Sequence, residues 1–103
     1  MNVIQTSPNG VVNSETIFSF TQEENLVSAN YSGGNIQKGF LIGILKNYEL
    51  EFRFVQIQIN GKLDGGFSKC SIKLNENGKL QLVEHFFWES QEGSGTNIFE
   101  EIL

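Results

Sequence analysis

Glu84 is the residue of this chain that most needs a chemical explanation. Within its stretch of alternating residues, Leu80, Leu82, Phe86 and Trp88 share its parity. Alternate residues of a β-strand point to one face, and four large apolar side chains mark that face as interior. A buried ionised carboxylate is costly unless it is paired, hydrogen-bonded or protonated. Glu84 is therefore interpreted either as an anchor for a ligand's polar group or as half of a structural pair that fixes strand register.

Arg53 is the predicted interior partner of Glu84. It is the only arginine in the chain, and a guanidinium can hold a carboxylate with two hydrogen bonds. Glu100 is the second candidate, because it shares a strand face with Ile98 and Ile102. As an alternative, Glu84 or Glu100 would be the acid or base of an enzyme, with its pKa raised by burial.

The other reactive side chains give weaker signals. His85, the only histidine, has the opposite parity to Glu84 and is predicted to face solvent. Cys70, the only cysteine, follows no predicted helix N-terminus and is interpreted as a small buried hydrophobe. One histidine and one cysteine do not make a zinc site, and the acidic residues lack the spacing of a calcium loop. We therefore expect no metal and no cofactor, and we assign no catalytic residue.

The composition favours strands over helices. The 103 residues include 9 Phe, 10 Ile, 11 Gly and 11 Asn, but a single Ala and a single Pro. Alanine is the best helix former, whereas Phe and Ile suit a pleated, half-buried surface. Asn-Gly pairs at 9–10, 60–61 and 77–78 and Gly-Gly pairs such as that at 33–34, which favour tight hairpins, separate the apolar runs. Strands are predicted at 2–6, 14–21, 25–32, 36–45, 49–59, 63–74, 79–90 and 96–103.

Short connections between these strands predict antiparallel neighbours and an up-and-down meander. Closing eight strands into a barrel removes the unpaired edges, and the interior is then either filled by side chains or just wide enough for one small ligand. Gly39 and Gly43, four apart in one strand, predict a sharp bend or a close approach. The prediction is one all-β domain over residues 1–103, an eight-stranded antiparallel meander barrel, with a two-sheet β-sandwich as the alternative.

The net charge of −5 argues against a nucleic-acid partner, because the phosphate backbone is itself negative. No apolar run approaches the ~20 residues of a membrane-spanning helix. The first residues lack the basic segment and long apolar stretch of a signal peptide, so a cytoplasmic location is expected. We expect a monomer or a homodimer.

Four segments, in chain order, resemble a family of small bacterial proteins that carry the label N-acetylglutamate synthase. They are residues 14–18 (SETIF), 31–36 (YSGGNI), 82–88 (LVEHFFW) and 98–102 (IFEEI). The resemblance implies a small calycin-like β-barrel, and its label implies acetyl transfer. Acetyl-CoA, however, would normally need a pyrophosphate site such as a Gly-rich loop that opens a helix, and no such helix is predicted.

The sequence thus favours a non-catalytic calycin-like barrel that binds a small apolar or amphipathic molecule. Two alternatives stay open, an enzyme that uses Glu84 as acid or base and a protein-interaction module that uses an outer sheet face, where Phe87 is exposed. The candidate ligand-binding residues are Tyr31, Arg53, Glu84, Phe86, Trp88 and Glu100.

Overall fold

The computed structural model describes residues 11–101 and the backbone of residues 2–6, and every regular element in these ranges is a β-strand. The predicted strands match the observed ones to within three residues, with the largest offsets at the start of β2 and at the end of β8. The predicted Asn9-Gly10 turn and residues 102–103 lie outside the described residues. The strands are β1 (Asn2–Thr6), β2 (Ile17–Glu23), β3 (Leu26–Gly33), β4 (Ile36–Lys46), β5 (Glu49–Gln58), β6 (Leu63–Leu74), β7 (Leu80–Trp88) and β8 (Ser94–Glu100).

Strands β2 to β8 form one continuous antiparallel meander, in which each strand pairs with the next. The short β1 pairs with β8, and its pairing with β2 is limited to Asn2 with Ile17. The strand order thus returns to its start through a seam of one residue pair. The predicted all-β meander is confirmed, and the two-sheet sandwich is wrong because all strands belong to one sheet. Complete closure by eight strands depends on that seam and stays a prediction.

Glycines at the predicted turns adopt the left-handed conformation that such turns require. Gly33 and Gly34, between β3 and β4, have φ of 113° and 60°. Gly61 and Gly78 follow asparagines between β5 and β6 and between β6 and β7, with φ of 88° and 77°. Residues without a side chain adopt positive φ at little cost. The sequence therefore identified these turns correctly.

Because the sheet is a meander, β2, β4, β6 and β8 begin at the end where β3, β5 and β7 finish. This end, which carries Trp88 and the Gly33–Gly34 turn, is called the Trp88 end below.

The inward face is apolar and aromatic. Its most buried apolar members are Phe18, Val27, Ala29, Tyr31, Leu41, Leu50, Phe52, Cys70, Leu82, Phe86 and Phe99.

The outer face is also apolar, which made two strand orientations hard to predict. In β5 the inward residues are Leu50 and Phe52, while Val55 is 50% exposed. In β8 the inward residues are Asn97 and Phe99. The prediction that Ile98 and Glu100 face inward is therefore wrong by one residue, since a one-residue shift reverses every side chain of a strand.

Candidate ligand-binding site

Glu84 lies on the inward face of β7, 4% exposed, and is held by side chains from both neighbouring strands. The Ser68 hydroxyl on β6 donates a hydrogen bond to Oε2 at 2.5 Å. The Asn97 amide on β8 donates to Oε1 at 2.9 Å. Asn97 is directly opposite Glu84 in the strand pairing. Both carboxyl oxygens therefore have a neutral partner, and three adjacent strands fix the orientation of the group.

Burial raises the pKa of Glu84, and the hydrogen bonds from Ser68 and Asn97 offset part of that rise. Desolvation disfavours the charged form, whereas a donated hydrogen bond favours it. Burial also raises the pKa of Tyr31 and of Cys70, and a negative charge on Glu84 adds to both rises whenever that carboxyl is ionised. The phenol and the thiol therefore stay protonated at neutral pH. Cys70 is 3% exposed, which confirms its prediction as a small buried hydrophobe.

The predicted interior pair of Arg53 and Glu84 is wrong. The Arg53 side chain is 71% exposed, and its Nη1 lies 2.8 Å from Oε1 of Glu89 on the outer surface. Its guanidinium also lies over the Phe67 ring, 5.6 Å from the ring centroid. The physical reason is strand parity, since Phe52 points inward and its neighbour Arg53 must point out. Among the described residues, the buried acid is held by hydrogen bonds from Ser68 and Asn97 rather than by a cation.

Glu100 does not belong to the interior site either. It lies at the end of β8 away from the Trp88 end. Its Oε1 accepts hydrogen bonds from Asn75 at 2.7 Å and from Gln81 at 3.0 Å, and Lys79 lies 3.9 Å from Oε2. The prediction that Glu100 lies in the interior is wrong because Asn97 and Phe99, and not Ile98 and Glu100, form the inward face of β8.

Phe86 and Trp88 face inward, as predicted, and Tyr31, which was named only as a candidate ligand-binding residue, also lies on the inward face. The Trp88 ring meets Phe86 and Phe54 edge-on, with centroids 5.4 and 5.7 Å apart. The Trp88 indole nitrogen is buried and has no hydrogen-bond partner among the residues that the structure describes. Together with Glu84 these rings line an interior cavity. The full lining is Val11, Val12, Phe18, Tyr31, Leu41, Phe52, Phe54, Gln56, Glu84, Phe86, Trp88, Asn97 and Phe99.

The interior cavity measures about 30 Å³. Pockets that bury a whole small molecule are commonly about 300 Å³ or larger, whereas a single water needs about 10–15 Å³. The sequence left open whether the interior is filled by side chains or is wide enough for one small ligand. In this conformation it is filled by side chains. A ligand-sized space therefore requires a side chain or a segment to move.

A second polar group lies in the interior nearer the Trp88 end. The Tyr31 hydroxyl donates to Oε1 of Gln56 at 2.8 Å, and Gln56 is 4% exposed. Asp64, opposite Gln56 in the strand pairing, is 1% exposed and accepts a 2.6 Å hydrogen bond from Gln58. The interior therefore offers polar atoms at two depths between its aromatic walls.

Sequence reasoning missed Ser68, Asn97 and Gln56. Ser68 shares its parity with Cys70, which was predicted to be inward, so its burial could have been found. Asn97 and Gln56 gave no such signal, because polar residues at these positions look like outward ones. What they have in common is a buried hydrogen-bond partner on another strand, Glu84 for Asn97 and Tyr31 for Gln56, and a single sequence does not reveal that partner.

The outer face holds the remaining residues that could take part in chemistry or contacts. His85 is exposed, as predicted. Phe87 is 37% exposed and stacks on Phe67 with centroids 4.9 Å apart; its role as a contact surface stays a prediction. Among the described residues, no group of three or more His, Cys, Asp or Glu side chains is arranged to hold a metal ion.

In the part of the chain that the structure covers, no helix has the length and apolar character needed to span a membrane.

The fold and the site define a small antiparallel β-sheet protein whose aromatic interior contains a hydrogen-bonded acid. In comparison with protein families, the model of avidin-like proteins matches residues 1–102. The chain therefore belongs to the avidin-like family. Neither the curated proteins nor the solved structures contain a match. The family supports the calycin-like β-barrel, and it does not support the N-acetylglutamate synthase label.

Proposed function

We propose that this protein binds a small apolar or amphipathic molecule, without catalysis, in the interior of an eight-stranded barrel. One observation carries the proposal. A carboxyl group with one hydrogen bond to each oxygen lies between aromatic walls inside the sheet of an avidin-like chain. Glu84, Ser68 and Asn97 would receive the polar end of the ligand. Phe86 and Trp88 would contact its apolar part, because aromatic side chains with a few placed polar groups are typical of such sites.

The electrostatics of the site favour a neutral polar group in the ligand over a charged one. A protonated Glu84 offers one O–H donor and one carbonyl acceptor. An ionised ligand carboxylate would be desolvated beside it, and the only arginine is on the outer surface. We therefore expect a ligand group that both donates and accepts hydrogen bonds without carrying charge, such as an amide or a urea.

Binding is favoured over acid–base catalysis by the partners of Glu84. A general acid or base works with a second group positioned on the reacting atoms. The side chains hydrogen-bonded to Glu84 are a hydroxyl and an amide, and neither titrates near neutral pH. A catalytic role of Glu84 stays the alternative hypothesis, and the cytoplasmic location and the oligomeric state stay predictions.

Titration of purified protein with biotin and with 8-anilinonaphthalene-1-sulfonate tests this function. Biotin is chosen because the family takes its name from avidin, and the second probe because it reports apolar pockets. Trp88, the only tryptophan, provides the fluorescence signal. We expect saturable binding of at least one probe. Glu84→Leu should weaken the binding of biotin, which carries a neutral urea group, about tenfold, as the loss of one hydrogen bond to that group would predict.

Glu100→Leu is the matched control, because it makes the same chemical change at a carboxylate outside the interior. It should leave the affinity unchanged, and circular dichroism should show that both variants keep their strands. The absence of saturable binding for both probes, or an equal loss in the two variants, would contradict the proposed function.

A further inference from the structure

Two valines that precede β2 fill the interior at the Trp88 end. Val12 is 7% exposed and belongs to the hydrophobic core, and Val11 is half-buried against it. Both line the interior cavity together with Trp88. They belong to residues 11–16, called the strap below, which lie outside every strand. Core volume at this end is therefore supplied by a segment that no strand pairing holds.

Hydrogen bonds shape the strap and attach it to the turn between β3 and β4. The Thr16 hydroxyl donates to the Gly33 carbonyl at 3.1 Å and accepts from the Asn13 amide at 3.2 Å. Within the strap, the Glu15 amide donates to Oδ1 of Asn13 at 2.9 Å. Thr16 is fully buried. Its hydroxyl is therefore a specific link between the strap and the barrel.

The Gly33–Gly34 turn makes room for the strap. A Cβ atom on Gly33 would overlap the Glu15 carbonyl, and one on Gly34 would overlap the Asn13 side chain. The strap thus packs directly on the backbone of this turn. Two segments singled out in the sequence, residues 14–18 and 31–36, meet here. Their contact attaches the strap to the turn between β3 and β4.

We infer that the strap is a displaceable plug and that Val12 occupies space which the ligand takes when it binds. This inference rests on the proposed function. The cavity of about 30 Å³ is too small for a ligand, so something must move. Strands β2 to β8 are each paired with the next strand over six or more residue pairs, whereas the strap can move without breaking this pairing. Displacement of Val12 would open the interior beside Trp88.

Val12→Ala and Thr16→Val test the plug in two independent ways. The first removes plug volume, and the second removes the hydroxyl link while keeping nearly the same shape. We expect both to raise acrylamide quenching of Trp88 severalfold. We also expect both to speed the association of 8-anilinonaphthalene-1-sulfonate severalfold in stopped-flow measurements. Quenching needs no ligand, so it reports on the plug even if the proposed function is wrong.

The matched controls are Val27→Ala, a buried core valine that does not line the cavity, and Thr21→Val, an exposed threonine of β2. Both should leave the acrylamide quenching of Trp88 and the association rate of 8-anilinonaphthalene-1-sulfonate at their wild-type values. If quenching and association are unchanged in Val12→Ala and Thr16→Val, the plug is overturned, while saturable binding by the wild type would still support the function. If quenching rises but no probe binds to any form, the plug stands and the proposed function fails.

Discussion

Glu84→Gln is expected to make the protein more stable than the wild type at neutral and alkaline pH and to change its stability little near pH 4. Glutamine has nearly the same shape, its carbonyl can accept from Asn97, and its amide can donate to the Ser68 hydroxyl. What the variant loses is the ability to ionise. The difference between the two proteins therefore isolates the free energy of placing a charge at this site.

The sign of the pH dependence follows from the raised pKa of Glu84. Below its ordinary pKa of 4.5 the carboxyl is protonated in both the folded and the unfolded chain, and the stability is fully present. Above that pH the unfolded chain releases the proton while the folded chain keeps it. Stability then falls by about 1.4 kcal/mol per pH unit until the folded pKa is passed.

Urea unfolding from pH 4 to pH 9 measures this effect. The free energy of unfolding of Glu84→Gln minus that of the wild type should be near zero at pH 4 and should grow as the pH rises above 4.5. Glu76→Gln, which removes an exposed carboxylate, is the control and should give a curve parallel to the wild type. A difference that stays constant from pH 4 to pH 9 would show that burial does not perturb Glu84.

Gly39→Ala is expected to destabilise the protein by about 1–3 kcal/mol, the usual cost of overpacking a filled core. A Cβ at this position would overlap the Tyr31 ring. That ring stacks on Phe18 with centroids 4.4 Å apart, and its hydroxyl is hydrogen-bonded to Gln56. The ring therefore has little freedom to move away, and the added methyl group must disturb the packing around it.

A double-mutant cycle assigns this cost to the contact with Tyr31. In a Tyr31→Leu background, where the ring is absent, Gly39→Ala should cost much less. In a Tyr31→Phe background, which keeps the ring, the cost should stay as in the wild type. Urea unfolding of the set gives the coupling energy. Equal costs in the leucine and phenylalanine backgrounds would contradict the close packing of Tyr31 on Gly39.

The strands and turns could be predicted because their signals are local. Asn60-Gly61 and Asn77-Gly78 mark tight turns in any sequence context, and the parity of β7 follows from four large apolar residues around Glu84. The position of Gly39 within a strand predicted either a sharp bend or a close approach, and the structure shows the close approach of the Tyr31 ring. These features depend on the residues of a single segment.

The partners of Glu84 could not be predicted, because they depend on strand register. Arg53 was chosen by charge, yet β5 is apolar on both faces, and only the packing of Phe52 inside decides that Arg53 points out. Asn97 is polar but inward because it meets Glu84 across the β7–β8 pairing. The strap was missed for a related reason, since Val11 and Val12 belong to no strand pattern, and their burial depends on the core residues of the strands against which they pack.

The most direct test of the central claim is a measurement of the pKa of Glu84 by ¹³C NMR of its side-chain carboxyl, assigned by comparison with Glu84→Gln. If an uncharged acid anchors the interior site, its titration midpoint lies above the ordinary 4.5 and moves when a ligand binds. A midpoint at or below 4.5, unchanged by ligand, would mean that the group is ionised in the folded protein, and it would contradict a site built around a neutral carboxyl group.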